Sequence, residues 1–408
     1  MFHGRFLEAA LSGAISRNKV RLLFGARQTG KTALLQHLLS GKRTHFVNLQ
    51  DATDRRHFEA DPAAFSRAVR ALPRVVRTIV VDEIQKVPAL LDEIQHLYDS
   101  APTRWQFYLT GSSARQLRAR SANLLPGRSH TYHLYAVCGW EVARDGAAPA
   151  IAAPVFTSSA PPFPSQPIER VLRLGSLPGI RAEPMSTAHA TLTAYVEHYL
   201  EEEIRREALV RDMGPFVAFL RLAAAESGQQ LNLARLSQES GIAASTLRSY
   251  YQVLVDTFVG HWLPIYARRT RKRLLTTPRF YFFDLGVRNA AAELPLESRL
   301  ADVHAGPLLE HWVAQDLIAR AGYRGRGHRV SFWRTASGAE VDFVYESPRE
   351  DIPIEVKWTA RPRPSDARHL ETFLSQYPDR ARRGLLVCRC TRPEQLTDRV
   401  RAIPWHAL

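Results

Sequence analysis

The sequence predicts an α/β protein in three parts: an N-terminal domain around a parallel sheet, a helical middle, and a second α/β domain at the C-terminus. Three observations predict this order. Near the N-terminus, a short apolar strand runs directly into a glycine-rich loop and an apolar helix. Two helical patterns separated by a turn follow at 231–258, and strand patterns return after residue 330. With 408 residues, the chain is long enough for two or three separate cores.

Composition favours an ordinary globular protein. The chain is 45% hydrophobic and 23% charged, and it lacks an uncharged apolar run of about 18 residues that would span a bilayer. The N-terminus has no apolar secretion segment, and three cysteines are too few for a disulfide framework. We therefore expect a cytoplasmic protein without a membrane partner. The net charge of +15 favours contact with duplex DNA, although a generally basic surface explains it equally well.

The first loop carries a phosphate-binding motif. The strand from Lys19 to Phe24 continues into G-A-R-Q-T-G-K-T, which fits the pattern G-x-x-x-x-G-K-[ST]. In such a loop, backbone N–H groups and the helix N-terminus bind phosphates, the lysine reaches the β- and γ-phosphates, and the threonine hydroxyl binds Mg²⁺. The predicted nucleotide-binding residues are Gly25, Ala26, Arg27, Gln28, Thr29, Gly30, Lys31 and Thr32. The motif therefore predicts that ATP and Mg²⁺ bind here.

Two further strands should complete the nucleotide site. A buried apolar strand ends in Asp82 and Glu83, at the carboxyl end where ligands bind in open α/β sheets. We expect Asp82 to hold Mg²⁺ together with Thr32, and Glu83 to activate the attacking water as a general base. The strand that follows ends in a Gly-Ser-Ser turn, in which Ser112, in preference to Thr110, is the predicted sensor of the γ-phosphate. A turn that simply favours Gly and Ser explains the same residues.

Several arginines follow this turn. One of Arg115, Arg118, Arg120 and Arg128 is expected to act across a subunit boundary as an arginine finger. We favour Arg128, which lies in the segment L-P-G-R. The alternative is a solvated basic face.

Taken together, these motifs resemble those of a known group. The order G-A-R-Q-T-G-K-T, V-V-D-E-I-Q-K-V-P, L-T-G-S-S and L-P-G-R resembles AAA-superfamily ATPases of bacteria and archaea whose C-terminal half is a domain of unknown function. The similarity continues through G-S-L-P, Y-F-F-D-L-G, G-A-E-V-D-F and I-E-V-K. It implies an AAA-type module, a helical and winged-helix-like middle, a C-terminal domain similar to restriction endonucleases, and a homo-oligomer. The chain differs from the family in its insert rich in Pro, Ala and Ser before residue 168, where the family usually has a shorter link.

The middle of the chain carries a helix-turn-helix pattern. A helix over 233–239, a turn at Gly241 and a second helix from about Ser245 fit this pattern. The segment 265–283 alternates basic and apolar residues, as the wing of a winged helix would. Packing or assembly without DNA is the alternative for such a module. The predicted DNA contacts are Arg248, Arg269, Arg271, Lys272 and Arg273.

The C-terminal part carries the residue pattern of a PD-(D/E)xK nuclease. Asp342 lies on one predicted strand, Glu355 and Lys357 lie on the next, and Glu310 lies on the preceding helix. Alternate residues of a strand share a face, so Lys357 would position a water beside Mg²⁺ held by the carboxylates. Spacing alone is weakly specific, but only six of the 55 basic residues are lysine, and two of them fall on motif positions. The alternative is a nuclease-like fold whose site does not cleave.

These patterns predict five segments. An AAA-type P-loop ATPase core (1–145) precedes a linker rich in Pro, Ala and Ser (146–167) and a helical lid region (168–227). A winged-helix-like domain (228–298) and a PD-(D/E)xK-like domain (299–408) follow. We expect a Mg²⁺-dependent ATPase associated with DNA, whose nucleotide state controls assembly or the C-terminal domain. Two alternatives stay open: a nucleotide-dependent switch or scaffold that binds a protein partner, and an ATP-regulated Mg²⁺-dependent nuclease.

Overall fold

The computed structural model forms two compact units. It describes residues 1–13, 18–113, 125–144, 149–152, 158, 160–200, 213–267, 277–295 and 300–408. The first unit comprises 1–135, 156–163 and 256–258, and the second comprises 136–155, 164–255 and 259–408. In the ranges that are described, no helix is long and apolar enough to cross a membrane.

The first unit is built on a five-stranded parallel sheet with the order β2-β3-β4-β1-β5. Its strands are β1 Val20–Phe24, β2 Thr44–Asn48, β3 Thr78–Asp82, β4 Gln106–Gly111 and β5 Ser129–His133. Every residue of β1 and β3 is buried, as expected of parallel strands covered on both faces. The predicted α/β class and the three predicted strands of this unit are confirmed.

Helices in the connections supply the rest of this core. They are α1 Glu8–Ser12, α2 Lys31–Leu38, α3 Ala52–Ala60, α4 Ala63–Ala71 and α5 Leu90–Ser100. Asp51 begins α3 by accepting a hydrogen bond from the N–H of Thr53 at 2.7 Å, which satisfies a backbone donor of the first turn. Phe65 of α4 and Ile94 of α5 are fully buried in one cluster with Leu109 of β4. This packing holds the sheet that carries the phosphate loop.

The middle of the second unit is mainly helical. Its helices are α6 Ile168–Leu174, α7 Pro178–Ala182, α8 Met185–Ala194, α9 Met213–Ala225, α10 Leu233–Ser240, α11 Ala244–Asp256 and α12 Leu285–Ala291, with a π-helical segment at Tyr195–Leu200. The predicted turn is present, because Gly241 ends α10 with a φ of 70°, a left-handed conformation that favours glycine. On α11, Arg248 is exposed while Leu247 and Leu254 are buried.

The start of the predicted wing does not belong to the hairpin. The strands of the two-stranded antiparallel sheet are β6 Gly260–Leu263 and β7 Arg279–Phe282, so the first strand ends before the predicted segment begins. Ile265 instead forms a bridge with Phe332 of the C-terminal sheet, which removes it from the hairpin. Four of the predicted DNA contacts lie outside the described residues: Arg269, Arg271, Lys272 and Arg273.

The C-terminal part forms a separate mixed sheet with the order β12-β13-β11-β10-β9-β8. Its strands are β8 Arg329–Arg334, β9 Glu340–Glu346, β10 Asp351–Val356, β11 Gly384–Cys388, β12 Glu394–Gln395 and β13 Val400–Pro404. Two helices pack on this sheet, α13 Leu300–Arg324 and α14 Arg368–Gln376. The antiparallel pairing of β9 with β10 brings the predicted acidic strands side by side, and the predicted C-terminal α/β domain is confirmed.

Candidate functional site

The phosphate loop joins β1 to α2 through backbone that few residues other than glycine could adopt. A Cβ on Gly25 would lie 2.2 Å from the carbonyl oxygen of Leu134, and Gly30 begins α2 with a φ of 91°. Lys31 is buried, and its Nζ donates to the carbonyl oxygens of Gly25 at 2.8 Å and Ala26 at 2.9 Å. The ammonium group therefore lies across the loop whose N–H groups are expected to bind phosphates.

Two oxygen ligands suited to Mg²⁺ lie beside this loop. Thr32 Oγ1 donates to the two carboxylate oxygens of Asp82 at 2.9 and 3.1 Å, and the Thr110 hydroxyl also donates to Asp82. Burial is the largest influence and raises the pKa of Asp82, although both hydrogen bonds lower it. A hydroxyl and a carboxylate are hard oxygen donors, so the residues present fit a magnesium ion.

The carboxylate of Glu83, next to Asp82 in the sequence, accepts hydrogen bonds from neutral side chains. Glu83 is buried, and its Oε2 accepts from the hydroxyl of Ser112 at 2.8 Å and from the side-chain amide of Gln85. That amide also donates to Ser112 at 2.8 Å. Burial alone would raise the pKa of Glu83, but Lys31 and the hydrogen bonds from Gln85 and Ser112 together lower it. The Glu83 carboxylate is therefore ionised at neutral pH and able to accept a proton.

The strand order explains why these groups meet. Because β4 lies between β1 and β3, the residues after β4 fall between the phosphate loop and Asp82. The predicted positions of Lys31, Thr32 and Glu83 thus converge at the carboxyl edge of the sheet, and Ser112 joins them. Its role as a sensor stays a prediction.

Two supporting residues were missed by the sequence interpretation. Gln85 lies two residues after Glu83, and the sequence around it, D-E-I-Q-K-V-P, gives no sign that its side chain is buried beside the acidic pair. Arg5 is 2% exposed and donates to the carbonyl oxygens of Thr29 at 2.6 Å and Tyr135 at 2.7 Å. It fixes the phosphate loop from the N-terminal segment, where no sequence pattern marks it.

The predicted arginine finger lies away from the nucleotide site of its own unit. Arg128 precedes β5, at the amino edge of the sheet, and its Nε donates to Asp99 at 2.6 Å. Action on a neighbouring subunit stays a prediction. Arg115, Arg118 and Arg120 lie outside the described residues.

The four predicted residues of the C-terminal site come together. Lys357 Nζ lies 3.0 Å from Glu355 Oε1, and Asp342 accepts a hydrogen bond from the N–H of Val356 at 2.8 Å. Burial, followed by the nearby charge of Asp342, raises the pKa of both Glu310 and Glu355 to about 7. Three carboxylates therefore share one partly buried region.

Residues from β7 occupy this cluster as well. Arg279 donates to Glu310 at 3.2 Å and also pairs with Glu340, while the Tyr281 hydroxyl donates to Glu310 at 2.9 Å. Among the residues that the structure describes, no group of three or more His, Cys, Asp or Glu is arranged to hold a metal ion. Arg279 pairs with Glu310 and Lys357 pairs with Glu355, so two of the carboxylates predicted to hold Mg²⁺ already have basic partners, and the nuclease site stays a prediction.

Three family models match successive parts of the chain. Residues 17–143 match the family model of an AAA domain, and two domains of unknown function match 165–298 (DUF8612) and 305–408 (DUF4143). Uncharacterized proteins of Mycobacterium tuberculosis and Mycobacterium bovis are each 25% identical over 358 residues, or 87% of this chain and 74% of theirs. Among solved structures, a Walker-type ATPase of Pyrococcus abyssi is 15% identical with a TM-score of 0.46, over 71% of this chain and 96% of that chain.

Proposed function

We propose that this protein, whose N-terminal part is a P-loop ATPase domain, is a Mg²⁺-dependent ATPase associated with DNA. Its nucleotide state would control assembly or the C-terminal domain. The observation that carries the ATPase proposal is the meeting of Lys31, the Thr32–Asp82 pair and Glu83 at one edge of the sheet. These groups supply phosphate binding, metal binding and a general base, which are the parts that phosphoryl transfer to water requires.

Each residue is assigned a role in this proposal. When ATP binds, Lys31 exchanges its two loop carbonyls for oxygens of the β- and γ-phosphates. Mg²⁺ bound by Thr32 and Asp82 would neutralise part of the phosphate charge. The Glu83 carboxylate, held by Ser112 and Gln85, accepts a proton as the water attacks the γ-phosphorus and ADP leaves.

Removing the phosphate-binding ammonium group tests this proposal. We expect Lys31→Ala to weaken ATP binding by roughly 10–100-fold, since a charge-assisted hydrogen bond contributes about 1.5–3 kcal/mol. Calorimetry with ATP and Mg²⁺ measures the affinity, and phosphate release measures turnover. Lys42→Ala is the matched control, because Lys42 is exposed and lies outside the site. Equal affinity and turnover in both variants would contradict the assignment of the nucleotide site.

DNA association is supported by the charge of the whole chain. The net charge of +15 is carried mainly by arginine, which contacts phosphates through several donors. The alternative is a nucleotide-dependent scaffold for a protein partner. In that case, ATP turnover should not change when DNA is added. Phosphate release with and without a mixed-sequence duplex, at low and high salt, separates the two. A stimulation that fades at high salt supports DNA association.

A nuclease is the second candidate, favoured by the convergence of Glu310, Asp342, Glu355 and Lys357. Against it, Arg279 pairs with Glu310, one of the carboxylates that would bind a metal. We therefore expect the purified protein to leave supercoiled plasmid intact in the presence of ATP and Mg²⁺. Cleavage that is lost in Asp342→Ala and retained in Glu83→Gln would establish the nuclease instead.

A further inference from the structure

A basic cleft lies at the amino edge of the five-stranded sheet. The segments that lead into β2, β3 and β4 surround a cavity of about 500 Å³. Lys42 and Arg43 line it before β2, Arg77 lines it before β3, and Trp105 lines it before β4. This basal cleft therefore places three cations beside one aromatic ring.

Within the described part of the chain, the charges of the basal cleft have no acidic partners. All three cations are exposed, and none of them forms an ion pair with a residue that the structure describes. Elsewhere on the same unit, Arg67 pairs with Asp61 and Arg128 pairs with Asp99. Like charges gathered without counter-charges repel one another, and a bound polyanion relieves this repulsion.

Two arginines at the basal cleft are held in place by neutral groups. Arg77 Nη2 donates to the carbonyl oxygen of Thr103 at 3.0 Å, and Arg104 Nη1 donates to that of Val76 at 3.0 Å. Arg104 also lies 5.1 Å from the centre of the Trp105 ring. A carbonyl fixes a guanidinium group without cancelling its charge. The side chain therefore loses less conformational entropy when an anion binds.

We propose that the basal cleft binds the phosphate backbone of duplex DNA. This inference rests on the DNA association proposed above and assigns it to a surface of the ATPase domain. The described lining of this one cavity has three Lys and Arg side chains and no acidic residue, which suits a backbone that carries one charge for every 1.7 Å or so of duplex. Contacts to phosphate fix the position of a duplex but do not read its sequence, so binding is independent of sequence.

The basal cleft and the nucleotide site lie at opposite edges of one sheet. β1 and β3 have five residues each, so the two sites are separated by roughly 17 Å. Ligands of the P-loop bind at the carboxyl edge, whereas the cleft residues precede the strands. A duplex whose phosphates bind at the basal cleft therefore leaves the nucleotide site open. For the same reason, substitutions in the cleft should not affect ATP binding.

The triple variant Lys42→Gln/Arg43→Gln/Arg77→Gln tests the proposal. Fluorescence anisotropy with a labelled duplex of about 30 base pairs, over roughly 50–200 mM salt, gives the affinity and its salt dependence. We expect the dissociation constant to rise by on the order of 10–100-fold. In a plot of the logarithm of the affinity against the logarithm of the salt concentration, the slope is negative. Its magnitude should decrease by about 2–3, or about 1 for each phosphate contact. Arg43→Gln alone should decrease the magnitude of this slope by about 1. Arg43 is exposed, so this substitution leaves folding undisturbed.

A second triple variant provides the control. Arg67→Gln/Arg221→Gln/Arg235→Gln has the same net charge but removes arginines that are already paired with carboxylates. Both triples should keep wild-type ATP turnover without DNA and wild-type thermal unfolding. If the wild type does not bind DNA, this inference fails together with the DNA association. If the wild type binds and the two triples weaken binding equally, or not at all, only the assignment to the basal cleft fails.

Discussion

We expect Glu83→Gln to reduce ATP hydrolysis by about 10²–10⁴-fold while ATP still binds with near wild-type affinity, because a general base contributes in that range. The substitution removes the group that accepts a proton from water and leaves the phosphate loop intact. The remaining amide oxygen can still accept the hydrogen bonds that Ser112 and Gln85 donate to this position. Phosphate release under single-turnover conditions measures the chemical step, and calorimetry measures binding.

The control for this prediction is Glu59→Gln, an exposed carboxylate of the same unit. It should hydrolyse ATP at the wild-type rate. A Glu83→Gln variant that turns over at more than about a tenth of the wild-type rate would show that another group takes the proton. In that case the assignment of Lys31 and Thr32 to phosphate and metal binding still stands, because it is tested by affinity.

The nucleotide site was predictable because its chemistry depends on residues that are close in sequence. A loop of eight residues between a strand and a helix specifies the phosphate site locally, and Asp82 and Glu83 follow a recognisable apolar strand. The parallel sheet then brings the ends of β1, β3 and β4 to one edge. The same reasoning placed Asp342 and Glu355 on neighbouring strands, which the pairing of β9 with β10 bears out.

The contacts that sequence reasoning missed join parts of the chain that are far apart. Arg279 reaches Glu310 and Glu340 from a strand of the middle region, so spacing within the C-terminal motif could not reveal it. Arg5 reaches Thr29 from the N-terminal segment in the same way. The wing was misplaced because alternation of basic and apolar residues does not specify which strand is the partner, and Ile265 pairs with Phe332 instead.

Asp316→Ala should lower the free energy of unfolding by about 3–5 kcal/mol, because it leaves a buried guanidinium group without its carboxylate. Arg320 and Asp316 are 1% and 2% exposed, and Arg320 Nε lies 2.7 Å from Asp316 Oδ2. The other carboxylate oxygen accepts the N–H of Gly139 at 2.6 Å, so the substitution also removes a partner of the backbone. Urea unfolding followed by tryptophan fluorescence measures the loss, since Arg320 lies 5.2 Å from the ring of Trp140.

The exposed pair of Arg221 and Glu293 provides the comparison for this prediction. Its side chains are 58% and 61% exposed, so Glu293→Ala should cost only about 0–1 kcal/mol. Replacing both members of the buried pair, as Asp316→Leu/Arg320→Met, should cost less than Asp316→Ala, because no unpaired charge stays in the interior. If the double variant is instead the less stable of the two, the ion pair itself stabilises this unit. The cost of Asp316→Ala would then measure a lost attraction as well as an uncompensated buried charge.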